Sequence, residues 1–116
     1  MPRAKGGVKT GRRHRRVLAK ARGFKYGRSK LFKSAKEAVN HSMIYQYRDR
    51  RVKKREFRRL WIVRINAAAN AHGMSYSRLI HGLKEAGIVI DRKVLSDMAV
   101  NDPDGFGKIV AQVKNA

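Results

Sequence analysis

Residues 28–72 contain neither glycine nor proline, and that bounds the fold more tightly than any other feature of this chain. Nothing there breaks the backbone hydrogen-bond ladder, so one long helix is the expected conformation. Ser29 or Ser34 stands where a cap is wanted, and Gly73 follows Ala71 as the stop. Roughly 40 residues at ~1.5 Å each make a rod of about 60 Å, too long to lie wholly on a small domain.

Two kinds of sequence meet inside this helix, in the run Arg48 to Trp61. At 100° per residue Arg48, Arg50, Arg51, Lys53, Lys54 and Arg55 surround almost the whole circumference, whereas Phe57, Leu60, Trp61, Ile65 and Ala68 share one stripe. A segment basic on every side has no protein core to face. Its like charges also oppose one another: Arg50/Lys54, Arg51/Arg55, Lys54/Arg58 and Arg55/Arg59 each cost about 0.2–0.5 kcal/mol, partly offset by Asp49/Lys53. A bound polyanion would turn that repulsion into attraction. Earlier in the helix Leu31, Phe32, Ala35, Ala38, Val39, Ser42, Met43 and Tyr47 form a modest apolar stripe able to seat on a partner.

Charge divides the chain the same way. Residues 1–64 hold 23 Lys and Arg against three acids, a net +20, while residues 65–116 hold six against five, a net +1. The first part is expected to associate with a polyanion and to become ordered on it. Residues 1–30, with five glycines among the cations, are expected to bury little, apart from a short helix from about Thr10 that stops at Gly23.

The remainder reads as a small helical domain. After Gly73, Ser75 caps a helix bearing Leu79, Ile80, Leu83 and Ala86, and Gly87 stops it. Ile88-Val89-Ile90 is a connector pinned into the core. Asp91 caps a helix bearing Val94, Leu95, Met98 and Ala99, and Asp102-Pro103 opens a last one bearing Phe106, Ile109, Val110 and Val113. The expected architecture is all-α: an extended basic N-terminal arm running into one long helix, then a small C-terminal helical domain, with residues 1–56 as arm and helix and residues 57–116 as the domain. Phe57, Trp61 and Phe106 are expected in its core.

Catalysis finds little support. The four histidines lie in separate segments, and Glu37/His41 and His81/Glu85 are spaced like ordinary helix-surface pairs with no nucleophile beside them. There is no cysteine, no metal-ligand spacing and no phosphate-cradling glycine loop. No apolar run approaches the roughly 20 residues of a membrane span, and no apolar segment follows the basic N-terminus as in a secretory signal.

Cations interleaved with aromatics are abundant instead. Arg12, Arg13, His14, Arg15, Arg16, Lys20, Arg22, Lys25, Arg28, Lys30 and Lys33 accompany Phe24, Tyr26 and Phe32, and Tyr45 and Tyr47 precede the run that ends with Arg58 and Arg59. Arginine forks phosphate, and unpaired bases stack on tyrosine or phenylalanine, with Phe24 and Tyr26 favoured for that role. A solvated tail, an import signal, a DNA-compacting protein and a small nuclease are the alternatives. The length of the basic region and the lack of a DNA-reading motif favour RNA.

The blocks Tyr47-Arg48-Asp49-Arg50-Arg51, Lys54-Arg55, Phe57 to Ile62 and Arg64 to Ala68 closely resemble the bacterial large-subunit ribosomal protein L20 family. So do Gly73 to Ile80, Gly82-Leu83-Lys84 and Ile90 to Leu95, and the match runs in order along essentially the whole chain. The resemblance implies an arm threaded through large-subunit ribosomal RNA, a helical domain seated on an RNA junction, neighbouring large-subunit proteins, and an early role in subunit assembly. In some members it also implies repression of their own messenger RNA. It implies no catalysis, no cofactor, no small-molecule substrate and no membrane, and a place in the cytoplasm, in a bacterial or organelle ribosome. Carried onto this chain, the RNA contacts are the arm and helix cations, with Ser77, Arg78, Arg92 and Lys93 as further candidates on the C-terminal domain.

Overall fold

Glycines end the helices where the backbone turns left-handed. In the computed structural model, which describes residues 4–116, the elements are α1 (Gly7–Lys20), a short 3-10 helix (Tyr26–Ser29), α2 (Phe32–Ala71), α3 (Tyr76–Glu85), α4 (Arg92–Asn101) and α5 (Pro103–Asn115), with no strand among the described residues. Residues 1–3, the start of the segment expected to be ordered by a polyanion, lie outside the described residues. The chain divides into two compact units, the boundary falling between Arg51 and Val52.

The 40 residues of α2 form without a break, as the missing glycine and proline predict. Its end is a Schellman turn: Gly73 has φ +76°, its N–H donates to Asn70 O at 3.0 Å, and Met74 N–H donates to Ala69 O at 2.9 Å. Gly87 closes α3 the same way, at φ +72°. Neither serine caps the start of α2. Ser29 Oγ instead donates to the Tyr26 carbonyl, and Ser34 lies inside the helix.

The first unit carries more structure than its composition suggested. α1 begins at Gly7 and ends at Lys20, so Gly23, at φ +89°, takes its left-handed turn two residues beyond the cap Ala21. Ala21, Ala35 and Val39 are buried, with Val17, Leu18 and Phe24 packed against them. Residues 4–30 still bury little, as expected: Ala21 is the one buried residue among them. Gly11, His14, Val17, Leu18 and Ala21 recur at helical spacing, so α1 turns one narrow face inward and leaves its cations outside. That face, and not another molecule, covers the Ala35/Val39 part of the α2 stripe.

In the second unit α5 packs against both α3 and α4. The core holds Ile65, Ala69, Leu79, Leu83, Leu95, Phe106, Val110 and Val113, and Ile88 and Ile90 of the connector pack on it while Val89 points to solvent. Asp91 and Asp102 cap as expected: their carboxylates accept from Val94 N–H at 2.8 Å and Gly105 N–H at 3.1 Å. Lys114 donates to the His72 carbonyl, joining the last turn of α5 to the end of α2. α3 and α5 approach closely at Gly82, where a Cβ would stand 2.2 Å from Val113 Cγ1.

One expectation about this core fails. Phe57 is 45% exposed, Leu60 39%, and Trp61 is half-buried without belonging to the core, which begins at Ile65. Helices of 10, 10 and 13 residues span only about 15–20 Å at ~1.5 Å per residue, so they cover the last turns of α2 and not those near Phe57.

Candidate nucleic-acid interface

Helical spacing distributes the cations of the first unit. With Gly11, His14, Val17, Leu18 and Ala21 turned inward, Arg12, Arg13, Arg15, Arg16 and Lys20 occupy the rest of the α1 surface and are exposed, as is Arg22 in the turn that follows. Lys25, Arg28, Lys30 and Lys33 are exposed as well. His14 is half-buried, its ring stacked on Phe32 at 3.7 Å between centroids, so one face is already used. Arg13 sits 6.0 Å from the same ring.

Along α2 the residues Arg48, Arg50, Arg51, Lys53, Lys54, Arg55, Arg58 and Arg59 are all exposed. Three of these cations lean on aromatic rings. Arg51 lies 3.8 Å over Tyr47 and donates to the Tyr47 carbonyl, Arg48 lies 4.7 Å over Tyr45, and Lys53 lies 5.9 Å from Phe57. Arg48 Nε also donates to Asp49 at 2.9 Å; this hydrogen bond, then the carboxylate's charge, pushes the guanidinium's pKa above its ordinary value. Asp49 therefore pairs with Arg48 rather than with Lys53, and Glu56 pairs with Arg59 at 3.4 Å. Arg50, Lys54, Arg55 and Arg58 make no ion pair among the described residues. Such a surface offers strong donors in many directions, which suits phosphates arriving from several sides.

Of the two aromatics favoured for base stacking, one is packed into protein and the other is open to solvent. Phe24, favoured for base stacking, is half-buried against Ala21, Ala35 and Val39. Tyr26 is 92% exposed. Tyr45 and Tyr47 are exposed too, as platforms for the arginines that follow them.

On the second unit the candidates come together in part. Ser77 and Arg78 lie exposed on the first turn of α3, and Lys93 is exposed on the first turn of α4. Arg92, half-buried, donates from Nε to Tyr76 Oη at 2.8 Å, which ties the start of α4 to the start of α3. The N-terminal ends of two helices thus stand beside these cations, and both favour an anion.

The sequence reading missed a groove of about 1100 Å³ in the first unit. Lys25 and Arg28 line one side, and Ser34, Glu37, His41, Ser42, Tyr45 and Gln46 of α2 line the other. Its signal was present: residues 37–47 form the longest stretch of residues 1–64 without lysine or arginine. The α2 wall presents hydroxyl, amide and carboxylate groups that can meet base edges or amines, while Lys25 and Arg28 bring positive charge to the same groove. Among the described residues no group of three metal-ligating side chains gathers, and no helix is long and apolar enough to cross a membrane.

A family model described as ribosomal protein L20 matches residues 3–109. The chain is 56% identical to the large ribosomal subunit protein bL20 of Thermomicrobium roseum over 100% of its own length and 99% of that protein's. It is 59% identical to the protein of that name from Geobacter sulfurreducens and 57% to that from Roseiflexus castenholzii, each time over 98% of this chain and 97% of the relative.

Proposed function

The chain belongs to the ribosomal protein L20 family of the bacterial large ribosomal subunit, and from that premise we propose that it binds large-subunit ribosomal RNA and helps the subunit assemble early. The family is one of structural ribosomal proteins and not of enzymes, and its place is the ribosome, in the cytoplasm. Neighbouring large-subunit proteins are its other partners.

The observation that carries the proposal is the exposure of every lysine and arginine between residues 12 and 33 and between 48 and 59 that the sequence marked for phosphate. Isolated from phosphate, such a surface repels itself; against RNA each cation replaces a condensed counterion. Phosphate contacts position a protein without reading sequence, so the choice of RNA must come from elsewhere. In this reading residues 1–56 are the part that enters RNA. The domain of residues 57–116, with its paired helix starts at Arg78 and Arg92, gives the contact a fixed orientation. Repression of the chain's own messenger, which the resemblance carries for some members, falls to that same C-terminal surface.

Competition tests the binding proposal. With labelled large-subunit ribosomal RNA bound to the full chain at about 200 mM salt, where non-specific phosphate contacts are weakened, unlabelled ribosomal RNA is expected to displace the label and duplex DNA of equal length to leave it bound. Equal displacement by both would contradict an RNA-specific role.

A further inference from the structure

Tyr26 is the only non-glycine residue with a positive φ among the described residues, at 62°, and the most exposed aromatic there, at 92%. Each property is unfavourable. A bulky side chain in the left-handed region is strained, and such strain persists only where the surroundings impose it. An aromatic ring in solvent contributes no core packing.

The surroundings do impose this conformation. On one side Phe24 is packed into the small core of the first unit. On the other, Ser29 Oγ donates to the Tyr26 carbonyl at 3.2 Å, and the Lys30 and Leu31 N–H groups donate to Gly27 O at 3.2 and 2.8 Å, just before α2 begins. A loop that needed only the turn would place glycine or asparagine at this position, and glycine already stands at Gly23 and Gly27. Lys25 and Arg28 line the groove of the first unit, whereas Tyr26 is not among its walls. The ring thus stands apart from that groove, with exposed Lys25, Arg28 and Lys30 close in sequence.

We propose that Tyr26 is a rigid stacking post for one unpaired base of the RNA this chain binds, with Lys25, Arg28 and Lys30 taking the flanking phosphates. The proposal rests on the reading of the chain as a ribosomal RNA-binding protein. Bases within a duplex hide their faces, so the partner is a base in a loop, bulge or junction. Since every base has a π-face, the post selects unpaired structure and not base identity.

Affinities of the full chain for a large-subunit ribosomal RNA transcript, measured over a series of salt concentrations for wild type, Tyr26→Phe, Tyr26→Ala and Tyr26→Asn, test this. Phenylalanine keeps the ring, and its variant should bind within about twofold of wild type. Alanine and asparagine should weaken binding by about five- to a hundredfold. The salt slope should stay the same in all four, because no phosphate contact is removed. Asparagine accepts the left-handed backbone, so a tight Tyr26→Asn beside a weak Tyr26→Ala would assign the residue to the turn and overturn the proposal. Wild-type affinity in both, or loss in Tyr26→Phe equal to that in Tyr26→Ala, would overturn it as well. Failure of the wild type to prefer ribosomal RNA over duplex DNA would contradict the underlying reading, and shows before any variant is compared.

Discussion

Ile65 and Trp61 stand one turn apart on α2, yet only Ile65 is enclosed, with 0% exposure and a place in the cluster around Leu79, Leu95 and Phe106. Ile65→Ala should therefore cost about 2–5 kcal/mol, a large fraction of a small domain's stability. Trp61→Ala should cost under about 1 kcal/mol, since Phe57 is its ring neighbour and solvent reaches both. Urea denaturation followed by circular dichroism separates the two, and equal losses would place the core boundary further up the helix. Gly82 behaves the other way round. Alanine there would gain helix propensity of about 1 kcal/mol, but its Cβ would stand 2.2 Å from Val113 Cγ1. The clash should win, costing about 1–3 kcal/mol, and Val113→Ala in the same chain should recover part of the loss. At this scale the sequence was legible where one residue type has one use, as with the caps Asp91 and Asp102. It was not legible where an aromatic could serve either core or RNA. Phe24 and Phe57 differ from their expected roles because burial depends on how far neighbouring helices reach, which periodicity does not report.

Helices were legible because their punctuation is local. The breaker-free run produced α2, and Gly73 and Gly87 take the left-handed turns their positions implied. α1 was underestimated for a physical reason: its inward face of Gly11, His14, Val17, Leu18 and Ala21 is narrow and surrounded by cations, so charge masked the spacing. The cap aspartates contribute separately, one on α4 and one on α5. Asp91→Ala and Asp102→Ala should each cost about 0.5–2 kcal/mol and sum in the double variant, as read by thermal melting. α2 itself should be uneven. Its turns from Ile65 to Ala71 are held by the core, whereas those around Arg50 to Arg59 hold like charges at i,i+4 with no core to oppose them. Amides of residues 50–59 should exchange hydrogen faster than those of 65–71 in the free chain. Adding ribosomal RNA should slow the first group, and exchange that is uniform along α2 with or without RNA would remove the supposed need for phosphate.

Taken whole, the molecule separates most of its charge from most of its core: net +20 before residue 65 and +1 after it. If six to ten phosphates are neutralised, affinity should fall about 10³–10⁵-fold between about 50 and 200 mM salt, and a much flatter dependence would argue against phosphate as the main contact. The central claim concerns where on the chain that contact is made. A cross-linking map on intact large subunits tests it most directly, reading which residues of this protein join to ribosomal RNA. The account predicts cross-links from residues 12–33 and 48–59, with fewer from the C-terminal domain, clustered near Arg78 and Arg92. Cross-links confined to the C-terminal domain, leaving both basic stretches unmarked, would contradict it.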